Sequence, residues 1–99
     1  MAIVQITVIP LGTPGTSLAA YVREVVRLAR EHAGVKVLVG PNGTTLEGDL
    51  DILWPLLRAM HEQPFRQGAQ RVFTLVNVDD RRDRPATMAD KLAAVDAGR

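Results

Sequence analysis

Val35-Lys36-Val37-Leu38-Val39-Gly40-Pro41-Asn42-Gly43-Thr44-Thr45-Leu46-Glu47-Gly48 decides the fold. Residues 35–39 are rich in β-branched and apolar side chains and read as a strand. Pro41-Asn42-Gly43 is a tight-turn signal, because Asn and Gly tolerate positive φ. Residues 44–48 then read as a second strand, so the stretch is a β-hairpin. Asp49 or Asp51 follows at once as a helix cap, so the hairpin leads directly into a helix.

Upstream, residues 3–9 alternate loosely and read as a strand, and residues 10–16, with Pro10, Gly12, Pro14 and Gly15, read as a loop. Ser17 is placed to cap a helix in which Leu18, Val22, Val25, Val26 and Ala29 recur at helical spacing, with Gly34 as a left-handed stop. Downstream, Leu53, Leu56, Leu57, Met60 and Phe65 supply the apolar side of a second helix ended by Gly68. Pro55 favours a regular start near Ile52 or an irregular first turn, since proline is tolerated only early in a helix. Residues 72–78 make a fourth strand, 79–84 a charged loop, and Thr87 caps a short last helix striped by Met88, Leu92 and Val95. Residues 97–99 are expected to fray.

The order β-α-β-β-α-β implies an α+β, ferredoxin-like sandwich. It is a single domain over 1–99, with a four-stranded antiparallel sheet, both main helices on one face, and a short C-terminal helix. The chain has 99 residues, 46% apolar and 23% charged, with a formal net charge of +1. That balance argues for a packed core and against a nucleic-acid or anionic-membrane footprint. There is no cysteine, which excludes disulfides, thiolate metal sites and cysteine nucleophiles, and suits a reducing cytoplasm. The N-terminus lacks the pattern of a signal peptide, and no apolar stretch is long enough to span a bilayer.

With helices on one face, Val4, Ile6, Val8, Leu46, Val72, Thr74, Val76 and Val78 are expected inside. Ile3, Gln5, Thr7, Ile9, Thr45, Glu47, Arg71, Phe73, Leu75 and Asn77 fall on the open face. Its apolar members suggest an interface covered by a second subunit, a ligand or both. Glu47 sits in an internal strand, where a carboxylate needs a hydrogen bond or a counter-charge. Its partner is either a basic side chain or a ligand with donor nitrogens.

His32 and His61 have no third ligand at metal spacing and read as helix-surface residues. Residues 12–17, Gly-Thr-Pro-Gly-Thr-Ser, lack the ending of a phosphate loop but could offer amides to a small polar ligand. Ser17 lacks the elbow motif of a catalytic serine. The run Asp79-Asp80-Arg81-Arg82-Asp83-Arg84 reads as a self-paired solvated loop or, through Arg81 and Arg82, as an intersubunit clamp. RNA recognition on this fold needs exposed aromatics on central strands, and only Phe73 is offered.

Several motifs occur in order: Ile9-Pro10-Leu11-Gly12-Thr13, Ser17-Leu18 with Tyr21-Val22, Pro41 through Asp49, Met60-His61-Glu62, Arg71-Val72 and Asp79 through Asp83. Together they resemble the YkoF-like thiamine-binding protein family over nearly the whole chain; Trp54 and Pro55 stand outside the pattern. The resemblance implies oligomers (dimer or tetramer) in which sheets pair and stack. It implies binding of thiamine or its hydroxymethylpyrimidine moiety as carrier, buffer or sensor, with no required cofactor and no catalytic step. It suggests Glu47, Thr45, Ser17 and Thr13 as ligand contacts, with Phe73 or Trp54 as stacking surfaces that could equally be packing residues. Rivals are a regulatory domain binding another small metabolite, such as an amino acid, at a subunit interface; a small isomerase-like enzyme using Glu47 as base; and a purely structural oligomer.

Overall fold

The computed structural model describes residues 1–15 and 17–97. The elements are β1 (Ala2–Leu11), α1 (Ala19–Arg30), β2 (Lys36–Gly40), β3 (Gly43–Gly48), α2 (Leu50–Arg66), β4 (Arg71–Asp80) and α3 (Met88–Ala97). The four strands form one antiparallel sheet in the order β2-β3-β1-β4. This is the expected α+β, ferredoxin-like arrangement. Thr16, Gly98 and Arg99 lie outside the described residues, and with them part of the loop and of the expected frayed tail.

The sheet's helix face carries the core. Val4, Ile6, Leu46, Leu53, Leu57, Met60, Val25 and Ala29 form one buried cluster beneath α1 and α2. The two central strands, β1 and β3, supply its floor, as the period-two pattern requires. The edge strand is less covered. Val76 and Val78 lie on the helix face of β4 as expected, yet are 39% and 41% exposed, because the helices do not reach that far across the sheet. Val22 and Phe65 are likewise exposed rather than core.

Several local expectations need correction. Ser17 does not cap α1: the N-cap position falls on Leu18, with no side-chain cap bond. One residue further out, a serine hydroxyl is poorly placed to reach the first free amides. Strand β1 continues through Pro10 and Leu11, paired with Val72 and Arg71 of β4. Its pairing with β3 ends at Ile6↔Thr44, so Pro10 lies where β1 has a neighbour on one side only. Asp79 and Asp80 are strand residues opposite Ile3 and Ala2, not loop.

The hairpin turns through Pro41 and Asn42 with no positive φ at Asn42 or Gly43, so the tolerance of Asn and Gly for positive φ is not used here; Pro41 supplies the negative φ of the first turn position. Gly43 is required for space instead: a Cβ there would lie 2.9 Å from Thr7 Oγ1. Helix α2 starts at Leu50 and runs continuously through Pro55 and Pro64. Pro55 is exposed and the carbonyl it leaves free belongs to exposed Asp51, so water can satisfy that group.

Asp49 is the α2 cap, accepting a hydrogen bond from the Asp51 amide at 2.9 Å. The helix closes on Gly68 at φ +102, with Ala69 N–H bonding Pro64 O and Gly68 N–H bonding Phe65 O, a Schellman motif. Thr87 caps α3 as expected, in a reciprocal box: the Thr87 amide donates to Asp90 Oδ2 and the Asp90 amide to Thr87 Oγ1, each at 3.0 Å. Replacing Asp49 with alanine should lower unfolding stability by about 1 kcal/mol in a urea titration without changing the m-value. An unchanged midpoint would show that the cap bond contributes nothing.

Candidate functional site

The open sheet face is a grid set by strand register. One row reads Lys36, Glu47, Ile3, Asp79 across β2, β3, β1 and β4; the next reads Leu38, Thr45, Gln5, Asn77. Leu75 and then Phe73 follow along β4, opposite Thr7 and Ile9. The second row is polar at its centre, and Asn77 Nδ2 reaches Gln5 Oε1 at 3.5 Å. Phe73, Leu75 and Leu38 are about half exposed.

Glu47 is the exception on this face, with only 1% of its surface exposed. The start of α3 covers it. Oε1 accepts a hydrogen bond from the Met88 amide at 2.7 Å, so the carboxylate sits at the positive end of that helix. Oε2 has no hydrogen-bond donor among the described residues. Lys36 Nζ lies 3.8 Å from it, beyond hydrogen-bond length, and its side chain is 76% exposed, so the pair is a loose one. A buried carboxylate oxygen left without a donor costs about 1–3 kcal/mol. Of the partner types expected for Glu47, the basic side chain is present, as a lysine across the strand.

The other expected site residues are dispersed. Thr45 is on the same strand and face as Glu47, one row along. Thr13 follows the far end of β1 and lines a separate 360 Å³ cavity with Tyr21 and Arg71. Ser17 is exposed at the approach to α1. Phe73 aligns with Ile9 whereas Glu47 aligns with Ile3, a separation of about 20 Å at ~3.3 Å per residue. Trp54 is on α2 and 52% exposed, so it is not a neighbour of the open face. Within one chain, therefore, only Glu47 and Thr45 come together.

Arg81 pairs with Asp83 of its own loop at 2.6 Å, and Arg82 with Asp80 at the end of β4 at 2.7 Å. Those hydrogen bonds hold the Asp80 and Asp83 carboxyls below the usual carboxylate range. His61 is not a free surface residue: its Nδ1 lies 2.6 Å from Thr74 Oγ1, tying α2 to β4, and its ring meets Phe65 edge-on. Among the described residues no three His, Asp or Glu side chains are grouped as a metal would need.

Lys36 and Met88 are the contacts that sequence reasoning missed. Lys36 was within reach, because a hairpin closing at Gly40↔Gly43 pairs Lys36 with Glu47 by register alone. Met88 had no such signal, since nothing local fixes where α3 docks.

The sequence profile of the thiamine-binding protein family matches residues 4–96. The chain belongs to that family. UPF0045 protein YqgV of Bacillus subtilis is 38% identical over 98 residues, covering 96% of this chain and 94% of YqgV. A UPF0045 protein of Methanothermobacter thermautotrophicus is 41% identical over 96 residues, 96% of each chain. The crystal structure of MJ1052 from Methanocaldococcus jannaschii superposes with a TM-score of 0.86 at 29% identity, over 96% of this chain and 95% of that one. A Thermotoga maritima protein, named provisionally for thiamine biosynthesis or salvage, shares the fold at TM-score 0.77 and 21% identity, over 95% of this chain and 97% of that one. No helix among the described residues is long and apolar enough to cross a membrane.

Two outcomes follow. Glu47→Leu should release α3, with amides 91–95 losing hydrogen-exchange protection while those of Val4, Ile6 and Leu46 keep theirs; unchanged protection in α3 would show that Glu47 does not hold it. The Asp80 carboxyl, followed by NMR, should titrate below the ordinary range and return to it in Arg82→Gln. Its folded pKa is lowered, so any stabilisation from the pair is present above the ordinary pKa and is lost as pH falls through the folded one. The Arg82 end of the pair is exposed to solvent, so the melting temperature should barely move; an Asp80 titration unaffected by Arg82→Gln would contradict the pairing.

Proposed function

We propose that this protein binds thiamine or its hydroxymethylpyrimidine moiety without catalysing a reaction on it, as a carrier, buffer or sensor. Family membership supports the ligand class. The free Oε2 of buried Glu47 is the observation in the fold that carries the reading. The pyrimidine of thiamine bears an exocyclic amine beside a ring nitrogen. With Oε1 already engaged, Oε2 would accept one N–H of the amine, and the Thr45 hydroxyl or the Lys36 ammonium would donate to the ring nitrogen. A ligand lacking either group would leave a buried polar atom unpaired, which is how such a site discriminates. The cationic thiazolium would gain from the same carboxylate. Helix α3 has no buried residue, so it is the element that would shift to admit the ring.

Thr13 and Ser17, distant from Glu47 in one chain, would take part only from a neighbouring subunit. Assembly into a dimer or tetramer through the open face is part of the proposal. It would cover Phe73 and Leu75 together with Leu92 and Val95 of α3, which are 56% and 74% exposed. Arg81 and Arg82 would then serve as intersubunit contacts.

Calorimetric titration of ligand-free protein with thiamine and with hydroxymethylpyrimidine should give saturable binding. Glu47→Gln should weaken it at least tenfold, since a charged hydrogen bond contributes about 1.5–3 kcal/mol. Absence of heat and of thermal stabilisation with both compounds would overturn the reading. Light scattering should return a multiple of the 10.8 kDa chain mass, and a monomer at micromolar concentration would remove the assembly from it.

A further inference from the structure

The cavity that Thr13 lines, past the far end of β1, is not part of the Glu47 site. Its volume of about 360 Å³ falls within the range of small-molecule sites. It lies where the two main helices leave the end of the sheet uncovered. Helix α2 closes through Gly68 and α1 opens only at Ala19, so neither covers the last pair of β1 with β4, Leu11↔Arg71. Gln67 Nε2 donates to Ala20 O at 3.4 Å and ties the two helix ends together beside the gap. Ile3, opposite Glu47, is roughly 26 Å from Leu11 along β1.

The lining carries one charge, and nothing answers it. Arg71 is the only charged side chain among the described residues around the cavity, and it makes no ion pair or hydrogen bond with any described residue. Arg81 and Arg82, by contrast, are each held by an aspartate. The partly buried hydroxyls of Tyr21 and Thr13 are likewise without a partner among the described residues. Folded proteins seldom leave such groups unpaired. Leu11, Pro14 and Ala69 supply apolar surface beside them. A Cβ at Gly12 or Gly68 would meet nothing within 4 Å, so the space next to both is unfilled.

We propose that this cavity binds a small organic carboxylate with an apolar body, held by Arg71 and by the Tyr21 and Thr13 hydroxyls. A guanidinium fork matches a carboxylate with two parallel hydrogen bonds. The hydroxyls donate to the same oxygens, and the body of the ligand lies against the Tyr21 ring, Pro14 and Ala69. One arginine balances one negative charge, so a phosphate dianion would enter with a charge unmatched. The ligand is opposite in charge to a thiazolium, and the inference goes beyond the thiamine reading and does not depend on it.

Tyr21 is the only tyrosine in the chain, so its ring signals report on this cavity without ambiguity. The test is NMR of the full chain at constant ionic strength, titrated separately with benzoate, its neutral isostere benzamide and inorganic phosphate. Benzoate should shift the Tyr21 ring and the Gly12 and Gly68 amides saturably, and benzamide and phosphate should bind at least tenfold more weakly. Arg71 is exposed, so its replacement leaves the core intact. Arg71→Gln should weaken benzoate at least tenfold, the effect of one charged hydrogen-bonding partner. Arg71→Lys, which keeps the charge and loses the fork, should recover only part of that loss. Arg66→Gln, which removes an exposed charge outside the lining, should leave benzoate binding unchanged. No saturable shift with benzoate, equal binding of benzamide or phosphate, full binding in Arg71→Gln, or an equal loss in Arg66→Gln would overturn the proposal. Glu47→Gln should not alter the benzoate titration, so this proposal and the thiamine reading fail separately. Hydroxymethylpyrimidine that shifts the Tyr21 ring and is displaced by benzoate would assign the cavity to that ligand and overturn the proposal.

Discussion

Two helices can cover only one face of a four-stranded sheet, and the rest of this molecule follows from that constraint. Val4, Ile6 and Leu46 bury the helix face of the central strands. Because strand side chains alternate, the same pairing commits Gln5, Thr45 and Glu47 to the other side, and a slip of one residue would exchange the two sets. The sheet therefore has a dry face that folds the chain and a mixed face left for something else. Helix α3 reaches that second face only at its last row, where it meets Glu47 and Asp79.

Magnitudes decide how that helix is held. None of its residues is buried, so burial contributes little. The Lys91–Asp79 ion pair is half exposed, and such pairs contribute about 0–1 kcal/mol. The bond from the Met88 amide to the buried carboxylate is of the charged kind, about 1.5–3 kcal/mol. Of these contacts the bond to Glu47 is the largest, and a ten-residue helix is marginal without tertiary support. The same carboxylate bonds α3 through Oε1, so under the proposed binding, occupancy of the face would be coupled to the place of the helix. A chain of this length is expected to have a radius of gyration near 13 Å; the observed 14.6 Å reflects elements that extend from the core instead of packing into it.

Much of this was legible in the sequence, for local reasons. The hairpin around Pro41-Asn42, the apolar spacing of Val25, Ala29, Leu53, Leu57 and Met60, and the caps at Asp49 and Thr87 all rest on interactions within a few residues. Strand lengths were not legible, because Pro10 and Asp79 carry local signals for loop and only pairing between β1 and β4 makes them strand. The cap at Ser17 failed because helix α1 begins one residue later than the side-chain pattern suggests. Glu47 was identifiable as an anomaly, a carboxylate in an internal strand, and Thr45 as its neighbour by alternation. What surrounds Glu47 was not: Lys36 needed the hairpin register, and Met88 needed the docking of a helix that no local rule positions.

The account turns on the free oxygen of a buried carboxylate, and a crystal structure of the protein with hydroxymethylpyrimidine tests it most directly. The prediction is an exocyclic amine nitrogen within hydrogen-bond distance of Glu47 Oε2, with α3 displaced from its position in the unliganded chain. Ligand density elsewhere, with Oε2 still without a donor, would contradict it.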